Sequence, residues 1–199
     1  GIDLSQTVDL TACVAVIEKD GILNVFAKFF MPSEKVDEAT ARDGVPYRIY
    51  VQQGFLQLSG ENFIDYHDCY NWLVELVEKY EILPLMCGYD RYSSQYLVQD
   101  LERYGFRTDD VYQGTNLTPV INEFSGLIKD RKIRIGDNNL LKMHFFDSAI
   151  KTEAENNRKR LIKLNASTSH IDGMAALLDA LCVRMKWYDT YGEQLKNEG

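Results

Sequence analysis

The sequence predicts an α/β protein built on one mixed β-sheet with helices on both faces. Three observations carry this reading. Two apolar runs, 11–17 and 22–30, flank an Asp20-Gly21 pair, which suits a tight hairpin turn. The run 84–89 is continuously apolar, as a strand buried on both faces of a parallel sheet should be. From there, strand, helix and strand follow one another in roughly thirty residues, the length of a βαβ unit. An antiparallel hairpin followed by alternating helices and strands packs as a mixed sheet between helical layers.

The elements follow in order. Ile2 begins the first strand, and Asp3 interrupts it between Ile2 and Leu4. Residues 33–43 read as a short polar helix after Pro32, and 54–60 as a further strand among the breakers Pro46, Gly54 and Gly60. From Asp65 to Glu81, Cys69, Leu73, Leu76, Val77 and Tyr80 recur at helical spacing. The strand 84–89, a helix from Ser93 to Tyr104 and a short strand in "DVYQG" complete the βαβ unit. Thr118 is the expected N-cap of the next helix, with Pro119 in its first turn and an apolar stripe of Val120, Ile121, Phe124, Leu127 and Ile128. A helix over 138–146 precedes a second hairpin, 148–164, tipped by Asn156-Asn157. The last helix spans 171–187 with Met174, Leu177, Leu178, Leu181 and Met185 as its core face, and a polar, frayed tail covers 190–199.

The bulk numbers narrow the class. A chain of 199 residues, 45% hydrophobic and 26% charged, fits one soluble domain, 1–199. No apolar run is long enough to span a bilayer, so no membrane partner is expected. Cys13, Cys69, Cys87 and Cys182 form no CxxC pair, which argues against zinc and for free thiols in a reducing compartment. No GxxxxGK[ST] phosphate loop is present. The net charge of -8 argues against a simple basic DNA clamp, although bound divalent cations invert a local acidic field. The chain starts at Gly1 with strand character already at Ile2, as expected of a piece of a longer protein.

Three acids stand at element ends. Asp3 lies on the first strand, Asp90 follows the buried strand, and Asp172 opens the last helix. Ligands bind outside the carboxyl ends of parallel strands, and three carboxylates from separate elements suit Mg²⁺ or Mn²⁺. Each acid has a plainer explanation. Asp3 fits a hydrogen-bonded strand end, and Asp90 the cap of the following helix. "SHID" matches a capping box with Ser169 as N-cap and Asp172 reaching back. Spacing leaves both readings open.

The segments "GIDLS…DLTA", "GYDRY" and "HIDGMAALLDAL", in this order, with "VYQG" before a long amphipathic helix, resemble the C-terminal nuclease domain of the large terminase subunit of tailed phages. The resemblance covers about Ile2 to Trp187; residues 33–62 match nothing in it and read as an insertion. It implies an RNase H-like (retroviral-integrase-like) fold and a metal-dependent endonuclease that cuts concatemeric viral double-stranded DNA. It maps the metal-binding and catalytic acids onto Asp3, Asp90 and Asp172, holding two Mg²⁺ or Mn²⁺ ions, with Asp3 bridging them. Asp9 is a candidate for an outer-shell carboxylate, with a turn or strand bulge as its plainer role. The resemblance also implies an ATPase domain earlier in the parent chain, portal protein and small terminase subunit as partners, and action in the host cytoplasm at the procapsid portal. His170 departs from it, since a Lys or Arg is the more usual residue there.

The second hairpin is the most basic stretch, with Lys151, Arg158, Lys159, Arg160 and Lys163 against Glu153 and Glu155. Such cations engage backbone phosphates without reading sequence; a solvated edge hairpin is the plainer alternative. Asp179, seven residues beyond Asp172, shares its helical face and reads as solvated. His67, His144 and His170 lack metal-ligand spacing. Rival readings are another RNase H-like nuclease such as a junction resolvase, or a non-catalytic scaffold domain of a packaging motor. "GIDLSQT" is also similar to the first strand of actin-like sugar kinases, whose other glycine-rich turns are missing here.

Overall fold

The computed structural model describes residues 1–5, 10–90 and 95–197, with side chains to Gly192. Strand β1 (Ile2–Asp3) lies at the centre of a mixed sheet. On one side it pairs antiparallel with β2 (Thr11–Lys19), which pairs antiparallel with β3 (Ile22–Met31). The turn between β2 and β3 has positive φ at both Asp20 (53°) and Gly21 (71°), the geometry a type I′ hairpin requires.

A short polar helix follows as expected: one turn of 3-10 helix (Ser33–Lys35), then α1 (Val36–Asp43). Helix α2 (Tyr47–Gln52) is an element the sequence did not announce, being six residues between breakers. Strand β4 (Leu56–Leu58) then adds parallel to the outer edge of β3.

Helix α3 (Tyr66–Glu78) is capped by Asp65, whose side chain accepts from the His67 amide. Strand β5 (Cys87–Asp90) runs parallel to β1 on its other side, so Asp90 is the last residue of the strand itself. Helix α4 (Gln95–Tyr104) and β6 (Thr108–Val111), parallel to β5, complete the βαβ unit.

Thr118 is the first residue of helix α5 (Thr118–Lys129) rather than its cap. Leu117 precedes it, and Thr118 Oγ1 instead accepts from the Lys159 amide at 2.8 Å. The two-residue β7 (Ile133–Arg134) pairs with β3, too short for any sequence pattern to reveal. Helix α6 (Asn139–Phe146) is capped by Asn138. The second hairpin, β8 (Ser148–Thr152) and β9 (Lys159–Lys163), forms its own two-stranded sheet. Helix α7 (Asp172–Asn197) continues well past Tyr191.

Strand alternation divides the core in two. Ile2, Cys13, Phe30 and Cys87 face α3 and α4, with Leu73, Leu97 and Leu101. Leu10, Ala12, Val14, Phe29, Leu56 and Val111 face α5, α6 and α7, with Ile121, Leu141, Leu177 and Leu181. Three residues expected in helical core positions are instead exposed: Tyr80, Ile128 and Met185. Each lies near or just past the end of its helix or on a flank that the sheet does not reach.

Candidate functional site at the start of the last helix

Strand register sets the site. Asp3 pairs with Ala12, Ala12 with Phe29, and Phe29 with Leu56. On the other side Ile2 pairs with Tyr89, so the next step along these parallel strands puts Asp3 beside Asp90, and Asp90 pairs with Val111. Directly paired residues face the same side of a sheet. Leu56, Phe29, Ala12, Asp3, Asp90 and Val111 therefore form one transverse row facing α7. The four apolar members of the row are fully buried, and the two acids are half-buried. Adjacent strands lie about 4.8 Å apart, which places the Asp3 and Asp90 backbones at that spacing.

Helix α7 can lie this close because the same face carries Gly1 and Gly88. A Cβ added at Gly88 would come 2.6 Å from the Asp179 carbonyl oxygen and 2.8 Å from Val183 Cγ1. At the start of the helix, a Cβ on Gly173 would meet the Phe29 ring at 2.7 Å. Phe29 belongs to the row that holds Asp3 and Asp90. Asp172, one residue earlier, thus opens the helix above the row from which the other two acids rise.

The capping box does not form. The Ile171 carbonyl accepts from the Met174 and Ala175 amides at 2.8 and 2.9 Å, so Ile171 is the cap and Asp172 the first helical residue. Ser169 Oγ instead accepts from the Asn165 amide. Among the described residues no three His, Cys, Asp or Glu side chains are already gathered at metal-binding distance.

Around Asp172 lies a set of residues that the sequence did not bring together. His144 is fully buried, its Nδ1 accepts from the Gly173 amide at 3.1 Å, and it lies 3.8 Å from Asp172 Oδ2. Burial, with smaller contributions from His170 and Lys163, lowers its pKa to about 3, so the ring is neutral. The rings of His144 and His170 are 6.1 Å apart, although 26 residues separate them in sequence. The His170 amide donates to Asp147 Oδ2 at 2.9 Å, while its Nε2 lies 2.9 Å from Asp43 Oδ2. Asp43 also accepts from Tyr47 Oη at 2.9 Å and from Arg42. Burial alone would raise the Asp43 carboxyl; the hydrogen bonds from Arg42 and Tyr47 outweigh it and hold the pKa below the ordinary value. The one sequence signal here was the "SHID" string, which places His170 two residues before Asp172.

Two expectations change. Asp179 is not solvated: it is completely buried, Gln113 Nε2 donates to its Oδ2 at 2.9 Å, and Oδ1 has no hydrogen-bond partner among the described residues. Burial raises its pKa to about 8. The basic hairpin also divides. Lys151 and Arg160 are cross-strand partners on one exposed face, and Arg158 is exposed at the turn. Lys159 is half-buried with Nζ 2.6 Å from Asn122 Oδ1, and Lys163 lies inward near His144. Asp9 lies outside the described residues.

Comparison with known proteins adds to this geometry. A family model described as "Terminase large subunit, endonuclease domain" matches residues 1–186. The large terminase subunit of Enterobacteria phage HK97 is 27% identical over 181 residues, which is 89% of this chain and 35% of that protein. The crystal structure of the HK97 bacteriophage large terminase superposes with a TM-score of 0.80 at 25% identity, over 92% of this chain and 38% of that one. The large terminase nuclease from thermophilic phage G20c, solved with bound magnesium, gives a TM-score of 0.58 at 11% identity, over 92% and 78% of the two chains. The last is a likeness of fold. This chain spans a little over a third of the length of the HK97 protein.

Proposed function

We propose, from the premise that this chain belongs to the family of terminase large-subunit endonuclease domains, that it hydrolyses phosphodiester bonds of double-stranded DNA with divalent ions held by Asp3, Asp90 and Asp172. Membership rests on the match across residues 1–186. The fold is the RNase H-like one that the resemblance implied. The single observation that supports the site is the row of strand partners in which Asp3 and Asp90 stand side by side beneath the helix that Asp172 opens.

The donor set fits hard divalent cations. All three ligands are carboxylates, and a neighbour of the same fold carries magnesium. Bound there, Mg²⁺ or Mn²⁺ ions supply an activated water and stabilise the leaving oxygen. The protein's part is positional. Asp3, in the middle of the row, would be the ligand shared between the ions, and Asp90 and Asp172 would each add a carboxylate to hold them. The first turn of α7 favours negative charge, which suits a carboxylate at Asp172. No side-chain nucleophile is needed. Lys151, Arg158 and Arg160 meet backbone phosphates from the exposed face of the hairpin, and Lys159 and Lys163 hold its inner face.

In the parent protein this activity cuts concatemeric viral DNA at the procapsid portal in the host cytoplasm. A preceding ATPase domain, portal protein and small terminase subunit are the partners. The test is plasmid cleavage by this chain in EDTA, Mg²⁺ or Mn²⁺, with Asp3→Ala, Asp90→Ala and Asp172→Ala as variants. The expected outcome is metal-dependent nicking and cutting that each substitution lowers at least ~100-fold, the scale of losing one electrostatic element of a transition-state site. A folded wild-type chain that cuts no DNA with either metal overturns the proposal.

A further inference from the structure

We infer that Asp43, at the end of α1, is a positioning residue that fixes the start of α7 through His170 and so aims Asp172. The inference rests on the proposed metal site and goes beyond it, because it gives the α1–α2 pair a role in the reaction.

Asp43 stands in an unfavourable place. It is the last residue of α1, where the helix dipole disfavours an anion, and its side chain is 1% exposed. A buried carboxylate at a helix C-terminus persists only where several donors converge on it. Here they come from three directions. Arg42 Nε lies 2.6 Å from Oδ1 and Arg42 Nη2 2.8 Å from Oδ2. Tyr47 Oη, on a fully buried ring, donates to Oδ2 at 2.9 Å, and His170 Nε2 meets the same oxygen at 2.9 Å. Gly44, with φ of 67°, ends α1 and turns the chain so that Tyr47 comes back onto Asp43.

His170 is held by both its ring and its backbone. Its ring nitrogen is on Asp43 and its amide on Asp147. Its other ring nitrogen, Nδ1, lies 4.0 Å from Asp172 Oδ2. The line Asp43, His170, Asp172 is thus carboxylate, imidazole, carboxylate, with the outer acid anchored in α1 and the inner one at the head of α7. Two residues of backbone and one ring separate the anchor from the proposed ligand. Asp43 is two steps from the proposed ligand: it fixes the His170 ring, and that ring lies 4.0 Å from Asp172 Oδ2, so its influence runs through the position of the start of α7.

The experiment compares the wild-type chain with Asp43→Ala, Tyr47→Phe and the control Arg48→Ala, which breaks an exposed ion pair with Asp37 on the same two helices. Asp43→Ala is expected to raise the Mn²⁺ concentration for half-maximal cleavage up to ~10-fold, the low end of the effect of removing a partner bonded directly to a ligand, with most of the rate recovered at saturating Mn²⁺. Tyr47→Phe shifts the curve in the same direction by less, and Arg48→Ala leaves it in place. Amide exchange in EDTA is read in parallel. Residues 170–174 are expected to exchange faster in Asp43→Ala, while 177–183 keep wild-type protection.

A cleavage rate that falls equally at every Mn²⁺ concentration, with an unmoved midpoint, overturns the inference. So does unchanged exchange at 170–174. If Asp43→Ala does not fold, Tyr47→Phe decides by the same two readouts. A wild-type chain without metal-dependent cleavage sinks the nuclease reading alone, and the exchange data still decide whether Asp43 holds the start of α7.

Discussion

Asp179 shows what a single buried group does to the whole protein. Its pKa of about 8 lies above the value of 3.8 that it takes when unfolded, so between these values the native chain keeps a proton that the unfolded chain has released. Stability therefore falls as pH rises through that window, by up to about 1.4 kcal/mol per pH unit. His144 acts in the opposite sense. Its pKa drops from 6.5 to about 3, so its slope is confined to pH below 6.5. From pH 6.5 to 8 the Gly1 α-amino group, whose pKa burial lowers from 8.0, adds a slope of the opposite sign, so only the difference between wild type and an Asp179 variant isolates the Asp179 part. Asp179→Asn, measured by urea unfolding in EDTA, should make the change in stability across that interval more positive than in the wild type by about 2 kcal/mol. A parallel slope in the variant would show that Asp179 does not carry that difference. The seven-residue spacing correctly placed Asp172 and Asp179 on one helical face, but gave no sign that this face lies on the sheet. The missing signal was Gly88, whose lack of a side chain brings α7 onto β5 and seals Asp179 beneath it.

Among the elements, α7 and the second hairpin respond to different perturbations. Gly88→Ala puts a methyl group 2.6 Å from a carbonyl oxygen of α7, and neither the strand centre nor the helix can yield cheaply. A loss of about 1–3 kcal/mol in chemical unfolding is expected, with weaker metal-dependent cleavage because α7 carries Asp172. In the hairpin, removing both outward cations, Lys151→Ala with Arg160→Ala, should flatten the log–log salt dependence of DNA binding by about 0.9 for each phosphate no longer neutralised. Lys159→Ala should instead loosen the hairpin from α5, because its Nζ is bound to Asn122. The sequence identified the hairpin and its charge, since Asn156-Asn157 and five cations are local features. It could not divide those cations between faces, because that depends on the cross-strand register of Lys151 with Arg160 and Ser148 with Lys163. Ser169 misled for the same reason: the capping string was present, but the Asn165 amide claims its hydroxyl.

At the scale of the molecule, the mixed sheet was legible because its strands are signalled by local chemistry: a type I′ turn, a continuous apolar run and a βαβ period. The order of strands was not, since nothing local says that a two-residue strand at Ile2 lies between β2 and β5. That central strand brings the earliest acid beside the second, and the last helix brings the third from 82 positions further along the chain, at 172 against 90. A ribosome adding about 5–20 residues per second makes the third acid roughly 4–16 s after the second. Throughout that interval the nascent polypeptide carries only two of the three proposed ligands and lacks the helix that roofs them. Synthesis order thus acts as a safety catch on the proposed activity: a chain abandoned before its final helix lacks Asp172 and would hold no complete set of the three acids.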